Sequence, residues 1–346
     1  MPALLYAPHT RALTVLYADL ESHALAQPQA FEGTAGSVVE RKNAGGFPFY
    51  AHQYYDGDRR KREKYLAGPV GSAAADASAV ALRERIAEVK HLVPSLRLLG
   101  REGFSLVDGR SYAAIASLHN HGIFALGAML VGSHAYGVLL NRLGVRATPY
   151  TTEDIDIARR GPLRFAEPPA QGFLDMLNDS GIEFVAVPSL DRGQPSTSFK
   201  QRGRSPFHVD LLAPSDTDSF PIVAVPELKA HAIGLPHLDF LLAESQTAML
   251  MAREGCCAVR VPLPERFAVH KLIVSSLRGS RQAKSERDVL QACVVAAALG
   301  DSHPGAVETA VAALTKRAGK PFRMGIDAAR RWLERDYPRA WQELTG

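Results

Sequence analysis

The residues of this chain whose types and spacing could do chemistry gather first in Thr151-Thr152-Glu153-Asp154-Ile155-Asp156-Ile157. Side chains alternate along a strand, so Asp154 and Asp156 share one face while Ile155 and Ile157 can enter a core on the other. Two carboxylates held that close repel and lose hydration, which makes them poor neighbours unless a cation sits between them. Oxygen ligands of this kind suit Mg²⁺ or Mn²⁺, with triphosphate oxygens and waters completing an octahedron. Upstream, Leu130-Val131-Gly132-Ser133 reads as a short apolar strand ending in Gly-Ser. A glycine there allows close backbone approach, and the amides of a helix N-terminus attract phosphate.

Each signal has a bland reading. Gly-Ser is usually an ordinary strand-to-helix turn, and Asp-x-Asp is usually a solvated edge. Their order, each beside an apolar strand-like run, is what favours a nucleotide site. A further acid lies in Phe207-His208-Val209-Asp210-Leu211-Leu212, where an unpaired carboxylate among apolar residues would be costly. Its alternative is a strand-end cap before Pro214.

The pattern resembles the signature of the polymerase-β-like nucleotidyltransferases, in which a strand ends in Gly-Ser, a helix starts there and the next strand presents Asp-x-Asp. That resemblance implies that Gly132 and Ser133 hold the β- and γ-phosphates and that Asp154, Asp156 and Asp210 bind metal, with Asp210 as base toward the attacking hydroxyl. The spacer fits, with a helix expected at 171–180 and strands at 183–187 and 196–202. The chain also resembles the narrower AbiEii-type branch in Pro262 to Leu272, which begins one helix, and Ser285-Glu286-Arg287-Asp288-Val289-Leu290, which begins the next. By that likeness Lys271 contacts the triphosphate and Asp288 orients it. The plain alternatives are a lysine snorkelling to solvent and a first-turn acid favoured by the helix dipole.

Those residues need elements to hold them. With 346 residues and 46% hydrophobic content the chain can build two or three domains with substantial cores. The fold class expected is α+β: a nucleotidyltransferase-type mixed sheet with a small N-terminal β-meander and a C-terminal helical domain. We place an N-terminal helical segment at 1–36, with a short helix from Arg11 to Leu25. A basic, aromatic meander follows at 37–75, with hairpin signals at Gly45-Gly46 and Asp56-Gly57. A connecting helix occupies 76–99, capped by Asp76 and running to about Leu92 with Pro94 near its end. The core spans 100–220, including a helix from Gly137 to Leu143 and a turn around Gly144 and Pro149. A hairpin (Leu238 to Val261) and helices complete 221–346.

The net charge of +4 suits anionic ligands without requiring them. Three cysteines, Cys256, Cys257 and Cys293, have neither zinc spacing nor even pairing, which predicts a reducing cytoplasm. No apolar run approaches bilayer length and no leader pattern is present, so neither membrane spanning nor secretion is expected. In the meander, Arg59, Arg60, Lys61 and Arg62 stand beside aromatic residues, a combination that can hold phosphates and stack bases, or can be a solvated strand end. His119-Asn120-His121 reads as a helix terminus, and Gly68 to Ser72 lacks the lysine of a P-loop. The whole reading is NMP transfer from a nucleoside triphosphate to an acceptor hydroxyl. The family likeness points to RNA, a tRNA 3′ end first, in a toxin-like protein with an antitoxin partner. The alternatives are a small-molecule, antibiotic-type acceptor and a non-catalytic nucleotide- or nucleic-acid-binding module.

Overall fold

The computed structural model describes residues 4–148, 152–167, 169–189, 193–278 and 282–346. Pro149 of the expected turn and Thr151 of the acid-pair motif lie outside them. The centre is a seven-stranded mixed sheet. Along its main path run Ile222–Val225, Ala230–Pro236, His208–Ser215, Asp154–Ala158 and Met129–Val131. The middle pair, His208–Ser215 and Asp154–Ala158, is parallel. On its other edge, His208–Ser215 pairs first with the antiparallel Ser198–Gln201, which carries Phe184–Ala186 beyond it, and then with Ala230–Pro236.

Alternation explains the two middle strands. Ile155, Ile157, Val209 and Leu211 are buried on the core side, while Asp154, Asp156, His208 and Asp210 are only partly covered on the other. The strand Met129–Val131 is buried throughout and leads straight into the helix Gly132–Arg142. That helix starts five residues before the expected Gly137, because Gly132 turns the chain at φ +66°. The helix then buries Ala135, Tyr136, Val138, Leu139 and Leu140.

The meander forms as a three-stranded antiparallel sheet, Ser37–Lys42, Pro48–Tyr55 and Lys61–Ala67. The first helix, Arg11–Ala26, matches the expectation. The connecting helix does not stop near Leu92; it runs Ala73–Arg101 with Pro94 inside. A proline inside a helix costs about 3 kcal/mol, but Leu96 and Leu99 beyond it are fully buried, each worth about 1.5–3 kcal/mol. Its cap is Ser72, whose hydroxyl accepts the Ala75 N–H at 3.3 Å. Asp76 is engaged instead by the Gly71 N–H (3.0 Å) and the Tyr50 hydroxyl (2.9 Å).

The C-terminal half begins with the hairpin Ser245–Met251 and Cys256–Pro262, preceded by one helical turn at Leu238–Leu241. The helices Pro264–Leu277 and Gln282–Ser302 then pack side by side, with Gly319–Leu333 across them. Gly325 permits that crossing, since a Cβ there would collide with the Leu272 backbone. No helix among the described residues is long and apolar enough to cross a membrane. The triplet His119-Asn120-His121 ends the helix Gly109–Asn120.

Candidate active site

The strand register decides where the acids meet. In the parallel pair Asp210 stands opposite Asp156, and His208 opposite Asp154. Val131, the last residue before the Gly132 turn, is the partner of Asp156 on its other side. One row across three strands therefore runs from the glycine turn through Asp156 to Asp210. The fit is tight, because a Cβ on Gly132 would collide with the Asp156 carboxylate. Asp210 sits inside a long strand rather than capping its end, so the strand-end alternative is set aside.

The electrostatics follow from this crowding. Burial pushes the Asp156 carboxyl up to about 6, Asp210 and Asp154 push in the same direction, and Lys271 and His208 oppose them. His208 lies between the acids, with Nδ1 3.3 Å from Asp154 Oδ1 and Nε2 3.5 Å from Asp210 Oδ2. Its hydrogen bond to Asp210 raises it to about 9. A cationic side chain thus already occupies the position that carboxylate repulsion demands. Among the described residues no three His, Cys, Asp or Glu side chains enclose an ion by themselves. The donor set, hard carboxylate oxygens with one carboxyl raised by burial and like charge, nevertheless fits Mg²⁺ or Mn²⁺ when phosphate oxygens and water supply the remaining ligands.

Lys271 does not snorkel. It is 8% exposed, and its Nζ donates to Asp288 Oδ1 at 2.6 Å. Arg278 pairs with the other Asp288 oxygen, and Asp288 is buried in the second turn of its helix rather than exposed in the first. The Lys271 charge is felt at Asp156, which joins this pair electrostatically to the acid row.

Ser133 opens onto a cleft of about 880 Å³ whose walls come from the N-terminal segment, the meander turn, the loop around Ser105 and the C-terminal hairpin. His134, also in its wall, is buried and hydrogen-bonds the Asp154 backbone, while its Nδ1 has no partner among the described residues. Burial lowers its pKa, so it faces the cleft as a neutral ring. Asp56 and Asp108 in the wall are already satisfied, the first by Arg62 at 2.7 Å and the second by the Arg110 and Ser111 amides. Arg59, Arg146 and Arg253 line the same cleft and have no carboxylate partner among the described residues.

The four meander cations divide. Arg59, Arg60 and Lys61 are exposed, with Arg59 at φ +61°, whereas Arg62 is spent on buried Asp56 and the Gly181 carbonyl.

With the geometry in place, comparison with known proteins is decisive at the level of family. A family model described as nucleotidyltransferase matches residues 110–316, more than half of the chain. The chain belongs to this nucleotidyltransferase family. No curated protein and no solved structure matches it significantly. As a nucleotidyltransferase it is an enzyme whose general reaction moves an NMP group from a nucleoside triphosphate. The matched span contains Gly132, Ser133, the three aspartates, Lys271 and Asp288, and excludes the meander.

Sequence reasoning missed His208, His134, Arg278 and Arg110. His208 carried one usable signal: it is two residues before Asp210 and so on the same strand face. His134 reaches the Asp154 backbone and Arg110 reaches Glu153 across separations that no local pattern encodes, whereas Arg278, at the end of one helix, lies only ten residues from Asp288 in the next.

Proposed function

We propose that this nucleotidyltransferase works with divalent metal through Asp154, Asp156 and Asp210, with Gly132, Ser133, Lys271 and Asp288 serving the triphosphate. The observation that carries the reading is Asp156, packed against the Gly132 turn, in register with Asp210 and raised to about 6. Mg²⁺ or Mn²⁺, when bound, supplies Lewis-acid stabilisation of the entering and departing oxygens.

The protein's own groups do the rest. Gly132 lets the backbone approach the β- and γ-phosphates, and the Ser133 hydroxyl and the first helix amides donate to them. Asp210 takes the proton of the acceptor hydroxyl, whose oxygen bonds to the α-phosphorus as the bond to the pyrophosphate oxygen breaks. Lys271, held by Asp288, offsets the charge gathering on the pyrophosphate.

For the acceptor we propose RNA, with a tRNA 3′ end first, in keeping with the AbiEii-type resemblance and its toxin-antitoxin setting. The charge of the cleft supports an anionic acceptor. Its carboxylates Asp56 and Asp108 are paired, so Arg59, Arg146 and Arg253 outweigh the one other wall carboxylate, Glu254, and the cleft favours an anionic acceptor over a polycationic antibiotic. Three free cysteines agree with a reducing, cytoplasmic setting.

Incubation of the protein with total RNA, each nucleoside triphosphate and Mn²⁺, followed by mass spectrometry of the RNA, tests this. The expected result is RNA heavier by one or more nucleotide monophosphates at its 3′ end. Modification of a small molecule or a protein with RNA untouched would move the acceptor to the competing class, and no modification of anything would contradict the proposed role of the acid row in transfer.

A further inference from the structure

Arg110 belongs to no motif, yet its guanidinium reaches both acid strands at their starting points. Nη2 donates to Glu153 Oε1 at 3.4 Å, one residue before Asp154. Nη1 donates to Ser205 Oγ at 3.0 Å and to Gln201 Oε1 at 3.4 Å, in the segment that turns into His208 and Asp210. The plane also lies over the buried Phe207 ring, 5.2 Å from its centroid. Between the two gripped segments the Glu153 carbonyl accepts the His208 N–H at 3.1 Å, at the start of the ladder that sets Asp156 beside Asp210.

Arg110 is itself fixed from behind. Asp108 caps its helix, accepting the Arg110 and Ser111 amides at 2.9 and 3.2 Å. Gly57 of the meander turn packs onto the same helix start, where a Cβ would lie 2.6 Å from the Gly109 carbonyl oxygen. The chain of contacts continues outward, since Gln201 Nε2 donates to Asp58 Oδ2 at 2.9 Å.

From this we infer that Arg110 is a positioning residue, which rests on the metal reading proposed above: it holds the Asp154 and Asp210 strands at the spacing divalent metal needs. The physical demand is clear. Three carboxylates that repel one another would spread their strand ends, and a planar five-donor group bridging those ends opposes the spreading, where a lysine could reach only one of them. Residues that hold metal ligands in place typically change metal affinity or activity by about 10–100-fold when lost.

The test measures Mn²⁺ binding directly, by electron paramagnetic resonance of the free ion, on the full chain with a non-hydrolysable nucleoside triphosphate in every sample and nucleotide alone as the control. Wild type and Asp156→Asn set the upper and lower limits. Arg110→Ala is expected to raise the Mn²⁺ dissociation constant about 10–100-fold, with Arg110→Lys intermediate. Millimolar guanidinium should restore most of the affinity of Arg110→Ala, which a merely structural role would not allow. Glu153→Gln, which leaves Arg110 in place, should weaken Mn²⁺ binding less, and it serves should Arg110→Ala fail to fold. A folded Arg110→Ala that binds Mn²⁺ within about twofold of wild type, while Asp156→Asn has lost it, overturns the inference and leaves the metal reading standing. If wild type itself binds no Mn²⁺ beyond the nucleotide control, the metal reading fails and the inference falls with it.

Discussion

Asp156 is where the site's function and the fold's stability pull hardest against each other. Its carboxyl is raised from an ordinary 3.8 to about 6 by burial and by Asp210, so the folded state binds its proton more tightly than the unfolded chain does. The stability this group contributes is therefore present below about pH 4 and is lost as pH rises through about 6. Asp156→Asn removes the titration. Without metal, the variant should match wild type near pH 4 and exceed it above pH 7 by about 2 kcal/mol, after discounting for partial exposure. Chemical denaturation in EDTA across that range checks it, and transfer should meanwhile be lost.

Lys271 poses the opposite case, because its partner is buried. Lys271→Ala leaves Asp288 with Arg278 alone, and breaking a buried pair costs about 3–5 kcal/mol. Arg278 should hold the loss near the lower end. On the proposed role of Lys271 as a donor to the pyrophosphate, the same variant should also slow transfer by about 10²–10³. The two effects separate in the double variant Lys271→Met, Asp288→Leu, which should regain most of the melting temperature and none of the rate. Recovery of rate along with stability would assign Lys271 to packing.

At the scale of elements, the strands were legible and their neighbours were not. Alternation placed Asp154 and Asp156 on one face and Ile155 and Ile157 in the core, and Asp210 with Val209 and Leu211 followed the same rule. His208 was legible only through its two-residue spacing from Asp210; its place beside Asp154 depends on register between strands 54 residues apart, by the numbering of His208 and its partner Asp154. The helix through Pro94 escaped local reading because tertiary burial of Leu96 and Leu99 outweighed the proline's cost. The early start of the helix at Gly132 has its own test. Gly132→Ala must place a Cβ into the Asp156 carboxylate at φ +66°, so it should lose about 1–3 kcal/mol and nearly all activity. A thermal melt beside a transfer assay reads both. Near-normal transfer by this variant would mean that the turn is slacker than the packing implies.

Across the whole molecule, the meander is tied to the acid-bearing sheet through Asp58 and Gln201 and to the neighbouring helix through the Gly57 contact, which sets Arg59 in the cleft wall with Arg60 and Lys61 following it in the chain. Arg59, Arg60 and Lys61 are free to meet phosphates, and each should contribute about 0.7 to the salt slope of single-stranded RNA binding. Neutral replacement of all three should lower the slope by about 2. Arg62→Gln should instead destabilise the meander and leave the slope unchanged, since Arg62 serves buried Asp56. Fluorescence anisotropy over a salt series separates these outcomes; an unchanged slope in the triple variant would confine the meander to a structural role.

The central claim is that the acid row directs attack at the α-phosphorus. Parallel reactions with nucleoside triphosphate labelled at the α- or the γ-phosphate, with Mn²⁺ and RNA, test it most directly. The account predicts α-label in the acceptor, γ-label in pyrophosphate, and neither with Asp156→Asn or in EDTA. Transfer of the γ-label, or α-transfer that survives Asp156→Asn, would contradict it.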